Sequence, residues 1–430
     1  MDAEVGLDWF ASRSEGIDGS LKERPEDFRV DEVSDFNYRD EGRFAVIRVK
    51  LTNYDTHEFA RDLSNELEMS RKRVSWAGTK DKRAVTTQIM TVDGVSRDKL
   101  SSVRIKGAEI EFLGRSDHPI ALGDLKANEF EIRVRGVRNP GNIGTITDEL
   151  ASFGGFDNGD STNSTGDKVI GVPNLFGVQR FGSRRPITHR VGERILHEDY
   201  EGAVMLFLAS SFQDEPEATR NARERLEKER DYREALSYFP QYLGYERAVL
   251  NELVQDKSYK QSLNALPPNL RRLFVNAAQS YLFNLILRER YSNDMDFSRA
   301  YPGDVVCFTA DGYPDTDRLQ EVTESNADAI NRHVKRGRAF VTAPLVGYKT
   351  EFSQGRQGEI EMSVLGESSL DLDDFDRDDE YASSGTRRPI LVATDLEYNV
   401  EKDIAIFGFN LPKGSYATVV MREYLKRNVD

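Results

Sequence analysis

Cysteine is nearly missing from this chain of 430 residues: it holds one, Cys307. A disulfide framework is therefore excluded. The five histidines (His57, His118, His189, His197 and His333) are scattered, with no H-x-x-x-H spacing and no C-x-x-C beside them. We expect no metal site. No run of about 18 apolar residues occurs, so nothing should span a membrane. The first residues, MDAEVGLDWFASRSEG, lack the basic start and apolar stretch of a secretory signal, and we read the protein as cytoplasmic. Positive charge is also in deficit, with 59 Lys and Arg against 74 Asp and Glu, a net charge of −15. Such a surface keeps a protein soluble where salt screens charges and suits a halophilic host.

Against that acidic background, residues 71–83 (RKRVSWAGTKDKR) carry six basic residues and a single acid, Asp81. A reactive carboxylate inside a site built for a polyanion would account for this inversion; a solvated turn is the plain alternative. Other windows are basic too. Residues 171–192 contain Arg180, Arg184, Arg185 and Arg190 and no acid. Residues 411–422 contain Lys413 and Arg422 and no acid, and Lys22 and Arg24 precede Phe28. Three of these windows carry aromatics, namely Phe28, Phe176 with Phe181, and Tyr416. Basic residues interleaved with rings suit a surface that contacts a nucleic-acid backbone and stacks on bases.

The patterning places these windows. Residues 43–51 alternate apolar and charged side chains, as a half-buried strand does. Thr56 reads as the N-cap of a helix presenting Phe59, Ala60, Leu63 and Leu67 on one face. Strands are expected at 74–77, 86–92 and 128–135, with 78–83 as a loop between strands. Residues 154–167 (GGFDNGDSTNSTGD) read as a flexible boundary loop, in which Asn163 begins a glycosylation sequon of little weight without a secretion signal. Residues 193–347 look mostly helical. The acidic run 371–380 (DLDDFDRDDE) lacks the central glycine of a calcium loop and reads as a solvated insertion. A buried strand at 404–409, a turn at 412–414 and a helix with Ala417, Val420, Met421, Tyr424 and Leu425 inward then return to the first sheet. The fold class expected is α+β.

The basic windows also resemble a known set. Residues 77–88 (AGTKDKRAVTTQ) are similar to the signature of the TruD family of tRNA pseudouridine synthases. The other motifs of that family follow in order: Pro25-Glu26-Asp27-Phe28-x-Val30-x-Glu32, then Leu122-Gly123-x-Leu125-Lys126-x-Asn128-x-Phe130. After them come Gly171-Val172-Pro173-Asn174-x-Phe176-Gly177-x-Gln179-Arg180-Phe181-Gly182, Asn276-Ala277-x-Gln279-Ser280 and Leu411-Pro412-x-Gly414-Ser415-Tyr416-Ala417-Thr418. The resemblance implies a V-shaped molecule of two domains. A pseudouridine synthase core with a mixed, largely antiparallel sheet would be built from residues 1–170 and 393–430, and an α/β TRUD domain, residues 171–392, would be inserted between them.

The resemblance further implies isomerisation of a tRNA uridine, typically at position 13, by a monomer with no cofactor and no obligate protein partner. Asp81 matches the family's central aspartate. A carboxylate there can add to C1′ of the ribose or take a proton from the sugar or from C5, and both roles stay open. Lys80, Lys82 or Arg83 would favour its ionised form. Tyr416 matches the position of an aromatic against the target base, and Phe28 and Asn128 match positions that contact the flipped nucleotide. Lys80, Arg180, Arg184, Arg185 and Lys413 are candidates for contacts to phosphate, whereas Gln279 and Ser280 read as helix packing. The main alternative is an RNA-binding protein without catalysis, which gives Asp81 no role.

Overall fold

The computed structural model describes residues 3–157 and 168–427. Among these, thirteen strands form two sheets. The strands are β1 (Phe28–Val33), β2 (Phe44–Thr52), β3 (Val74–Trp76), β4 (Val85–Asp93), β5 (Ala108–Ser116), β6 (Ala127–Arg135), β7 (Lys168–Pro173), β8 (Val305–Ala310), β9 (Tyr313–Glu321), β10 (Ala339–Leu345), β11 (Thr386–Pro389), β12 (Leu391–Glu401) and β13 (Ile404–Pro412). The large sheet runs β5-β2-β4-β1-β6-β13-β12-β7, with β3 added to β4. Only β1 and β4 pair in parallel; their neighbours pair antiparallel, so the sheet is mixed, as expected for α+β.

The C-terminal strands lie within this sheet, not at its margin. β13 pairs with β6 from Ile404↔Arg135 to Pro412↔Ala127, which puts residues 269 to 285 positions apart in sequence side by side. The final helix, Ala417–Leu425, buries more than the five residues expected. The N-terminal segment wraps it: Ala11 and Ser12 donate backbone N–H groups to Glu423, and Arg422 donates to the Trp9 carbonyl at 2.8 Å. Those bonds let a charged pair of positions lie inside the core.

Between β7 and β12 the chain leaves the large sheet. Helices run from Thr188–Leu196 to the 25-residue Pro268–Ser292, and a four-stranded sheet, β11-β10-β8-β9, follows. The expectation of a mostly helical stretch to residue 347 is thus corrected. Beyond Ser292 three strands and the helix Ala327–Lys335 occupy that region, where β-branched runs such as Val305-Val306 and Val341-Thr342 favour pleated packing. β11 and β12 are separated by Ile390 alone, which is fully buried, so the chain crosses from one sheet to the other in a single step.

Of three further readings, one changes, one holds in part and one falls mostly outside the described residues. The N-cap of helix Thr56–Glu66 is Asp55, which accepts the His57 and Glu58 N–H groups, while Thr56 is buried. The acidic run is solvated but also anchored: Asp371, Asp373, Asp376, Asp378 and Glu380 are exposed, while Phe375 and the following Tyr381 are buried, Arg377 pairs with Asp379, and Glu380 pairs with Arg271. Of the loop 154–167, residues 158–167, Asn163 included, lie outside the described residues. Among the described residues, no helix is long and apolar enough to cross a membrane.

Candidate active site

Asp81 sits at the tip of the loop between β3 and β4, and that loop is tied down on both sides. The Lys80 N–H donates to Thr56 Oγ1 at 3.1 Å, and Gln88 Nε2 donates to the same hydroxyl at 3.2 Å. The Gly123 N–H donates to the Ala77 carbonyl at 2.8 Å. The three basic neighbours of Asp81 all turn away from it. Lys80 Nζ meets Glu32 Oε2 at 2.6 Å, Lys82 Nζ meets Glu58, and Arg83 donates to the Glu23 carbonyl. The expectation that one of these three would face Asp81 is corrected: each has a closer acceptor on β1, on the helix after β2, or on the segment before β1.

The partner is Lys22. Its Nζ lies 2.8 Å from Asp81 Oδ2 and 4.4 Å from the centre of the Phe28 ring. Two ties hold the Lys22 segment in place. Ser20 bridges to Arg135 through paired backbone bonds, and Asp27 takes both the Arg24 N–H and the Arg135 guanidinium. Burial works to raise the Asp27 carboxyl, but Arg135 and the Arg24 N–H outweigh it and hold the group below the usual aspartate range. Lys22 itself adopts a left-handed backbone (φ +53°) and is buried, an arrangement that orients one amine toward one carboxylate. Among the described residues, Asp81 Oδ1 makes no hydrogen bond, and the side chain is 36% exposed. One oxygen is pinned and the other is open.

Beside this pair, β1, β4 and β6 share a face. Phe28 packs edge-on against Phe130, which stacks on Phe409, and Lys22 covers Phe28. Phe28 is thus a buried ring beneath the ion pair. Asn128 stands opposite Glu32 on one side and Leu411 on the other. Its Oδ1 is buried without a hydrogen-bond partner among the described residues, and so are Gln88 Oε1 and Thr86 Oγ1 on β4. These atoms are closed off from solvent, so a buried water or a change of rotamer would have to complete their hydrogen bonding.

Tyr416 belongs to a second group, at the start of the last helix. Its ring meets Phe176 edge-on at 5.9 Å, and Gly177 packs against the start of the same helix, where a Cβ would come within 3.1 Å of Thr418 Oγ1. Arg180 lies over the other ring of this pair, Phe176, and donates to Ser280 Oγ at 3.0 Å. Lys413 donates to the Gly123 carbonyl at 3.0 Å, one step from the tie at Ala77. β6 and β13 join the two groups. Arg185 departs from its expected contact to phosphate: it lies beside Glu215 and Glu246 with the buried Arg223. Gln279 donates to the Val346 carbonyl, which fits a packing role.

Three residues of consequence escaped the sequence reading. Lys22 stood in a basic window but six residues ahead of the motif ring. Thr56 looked like a cap. Arg388, whose guanidinium lies 4.3 Å from the Phe176 ring centre, stood outside every basic window considered.

A lone carboxylate pinned by a lysine at the edge of a mixed sheet, next to rings and buried amide acceptors, fits the pseudouridine synthases as a class of enzyme. The comparisons narrow the class. The family model for tRNA pseudouridine synthase D (TruD) matches residues 4–424, and the chain belongs to that family. It is 44% identical over 438 residues to a protein named Probable tRNA pseudouridine synthase D from Halobacterium salinarum, covering 99% of this chain and 97% of that protein. It is 45% identical over 439 residues to the protein of the same name from Natronomonas pharaonis, with the same coverage. A crystal structure of a protein named Putative tRNA pseudouridine synthase D (TruD) from Methanosarcina mazei aligns with a TM-score of 0.81 at 39% identity, over 99% of this chain and 98% of that one. The chain is an isomerase of the family that converts uridine in tRNA to pseudouridine.

Proposed function

We propose that the uridine isomerised is that at position 13 of tRNA, and that Asp81 is the central catalytic group. Pseudouridine formation breaks the N1–C1′ bond, turns the uracil and joins C5 to C1′; the C5 proton leaves and N1 gains one. No electrons are exchanged, so the reaction needs no cofactor. The observation that carries this reading is the Asp81 carboxylate with Oδ2 on Lys22 and Oδ1 open. The free oxygen can add to C1′ or accept a proton, and Lys22 supplies the counter-charge for the carboxylate.

After a change of rotamer, Asn128 offers its buried acceptor to the uracil, Phe28 forms the floor under Lys22, and Tyr416 lies against the base. Arg180 and Lys413 contact the RNA backbone. Lys80, bound to Glu32, acts by fixing the Asp81 loop. The departure of the chain from the large sheet after Pro173 and its return at Leu391 support a catalytic domain of residues 1–170 and 393–430 with 171–392 inserted. The enzyme works as a monomer in the cytoplasm.

The test is tritium release from tRNA carrying [5-³H]uridine, with wild type and Asp81→Asn. Release by wild type alone, with tRNA binding kept in both, is expected. Binding without release by wild type would favour an RNA-binding protein.

A further inference from the structure

We propose that Arg388 and Lys413 form a subsite for one phosphodiester of the RNA strand beside the isomerised uridine. The proposal rests on the reading of tRNA as substrate. Arg388 lies on β11, two residues before the crossing to β12, so it stands where the two sheets meet. Its guanidinium sits 4.3 Å from the Phe176 ring centre and 5.7 Å from that of Phe283. Its hydrogen bonds go to neutral acceptors: the Asn174 carbonyl at 3.3 Å, the Asn174 side-chain oxygen, and the Gly414 carbonyl at 3.0 Å.

Among the described residues, no carboxylate pairs with Arg388. The contrast with other inward-facing arginines is sharp. Arg387, its neighbour on the same strand, meets Glu361; Arg290 meets Asp304; Arg223 meets Glu215 and Glu246. Desolvated cations are normally paired, because an isolated one is strongly disfavoured. A second cation, Arg180, lies 5.5 Å from the same Phe176 ring and, among the described residues, also lacks a carboxylate. Burial pushes the Arg388 guanidinium down to about 10; Tyr416 opposes this and the like charge of Arg180 adds to it. The missing member of the group is an anion.

Its place is open. Arg388, Lys413, Asn174, Ser415 and Lys126 line a cleft of about 530 Å³. Lys126 is engaged by Asp35 and Asp311, whereas Lys413 is exposed and, among the described residues, its amine bonds only the Gly123 carbonyl. Asp311, Asp315 and Asp317 line the same cleft, but Asp311 is paired with Lys126 and Asp315 with Arg318, which leaves Arg388 and Lys413 as its cations without a carboxylate among the described residues. A planar guanidinium fork beside a lysine point charge matches the oxygens of a phosphodiester. Gly414, which Arg388 holds, is two residues before Tyr416, so the phosphate would adjoin the nucleotide whose base meets that ring.

The experiment measures tRNA affinity against KCl for wild type, Arg388→Gln, Arg388→Lys and Lys413→Gln. Each lost contact should lower the slope of log affinity against log salt by about 0.7, while Arg388→Lys keeps the slope. A merely structural role would change affinity and leave the slope. In parallel, wild type is titrated with RNA bearing one neutral methylphosphonate at each linkage flanking the target. One position should weaken binding about tenfold, and Arg388→Gln should be indifferent to it. An unchanged slope in a folded Arg388→Gln, or no sensitive linkage with wild type, would overturn the subsite. Tritium release by wild type reports the isomerisation separately, so a failed subsite and a failed function are distinguishable.

Discussion

Lys22 Nζ and Asp81 Oδ2 are 2.8 Å apart across 59 residues of sequence, and the lysine side chain is 7% exposed. No other cation reaches that carboxylate among the described residues, although three flank it in sequence. Replacing Lys22 with Met should therefore leave Asp81 without its partner and lower kcat by about 10²-fold, with tRNA affinity little changed. Lys22→Arg should recover part of the loss. Single-turnover kinetics on labelled tRNA reads this; equal rates in wild type and Lys22→Met would remove Lys22 from the mechanism.

The Lys80–Glu32 pair is more deeply buried, at 5% and 0% side-chain exposure. Breaking it by Glu32→Gln leaves a buried ammonium without a counter-charge, a loss of about 3–5 kcal/mol. The double variant Lys80→Met, Glu32→Leu should recover most of that stability yet remain slow, because the Asp81 loop loses its tether. Urea unfolding together with kcat separates the two effects. A double variant no more stable than Glu32→Gln would show that the pair is not where the stability lies.

How much of this was open to the sequence follows from what each residue depends on. The strands beside the site were legible, because Phe130, Ile132 and Val134 alternate with charges and a pleat enforces that period. Asp81 was legible because a local charge inversion is a one-dimensional signal. Its partner was not: Lys22 comes to Asp81 through the Ser20–Arg135 bridge and the Asp27–Arg135 pair, both long-range contacts. Arg388 was hidden for the same reason, since it lacks a carboxylate in space while Arg387 has one. The small sheet was missed because β9 (YPDTDRLQE) is an exposed, polar strand with little apolar alternation.

Thr56 carries a prediction that a capping role would not. Its hydroxyl accepts the Lys80 N–H and the Gln88 amide, while Asp55 does the capping. Thr56→Val keeps the shape and leaves two donors without an acceptor, which should cost about 1–3 kcal/mol. Asp55→Ala should instead lose about 1 kcal/mol from the helix alone. Only Thr56→Val should also slow isomerisation, since only it frees the loop that holds Asp81. A full rate in a folded Thr56→Val enzyme would show that the loop needs no such tie.

Glu193 gives the stability a pH dependence of unusual sign. Burial pushes its carboxyl up to about 7, with Arg190 and Arg194 offsetting only part of the effect. The folded state therefore holds this proton more tightly than the unfolded chain does. Its contribution is complete below the ordinary glutamate range, near 4.5, and is lost as pH rises through about 7. Glutamine mimics the protonated form at every pH. Glu193→Gln should match wild type near pH 4 and exceed it at pH 8.5, by at most about 3 kcal/mol. Urea unfolding at the two pH values measures the difference. A gain of the same size at both would point to packing, because a titrating carboxyl must give a difference that grows with pH.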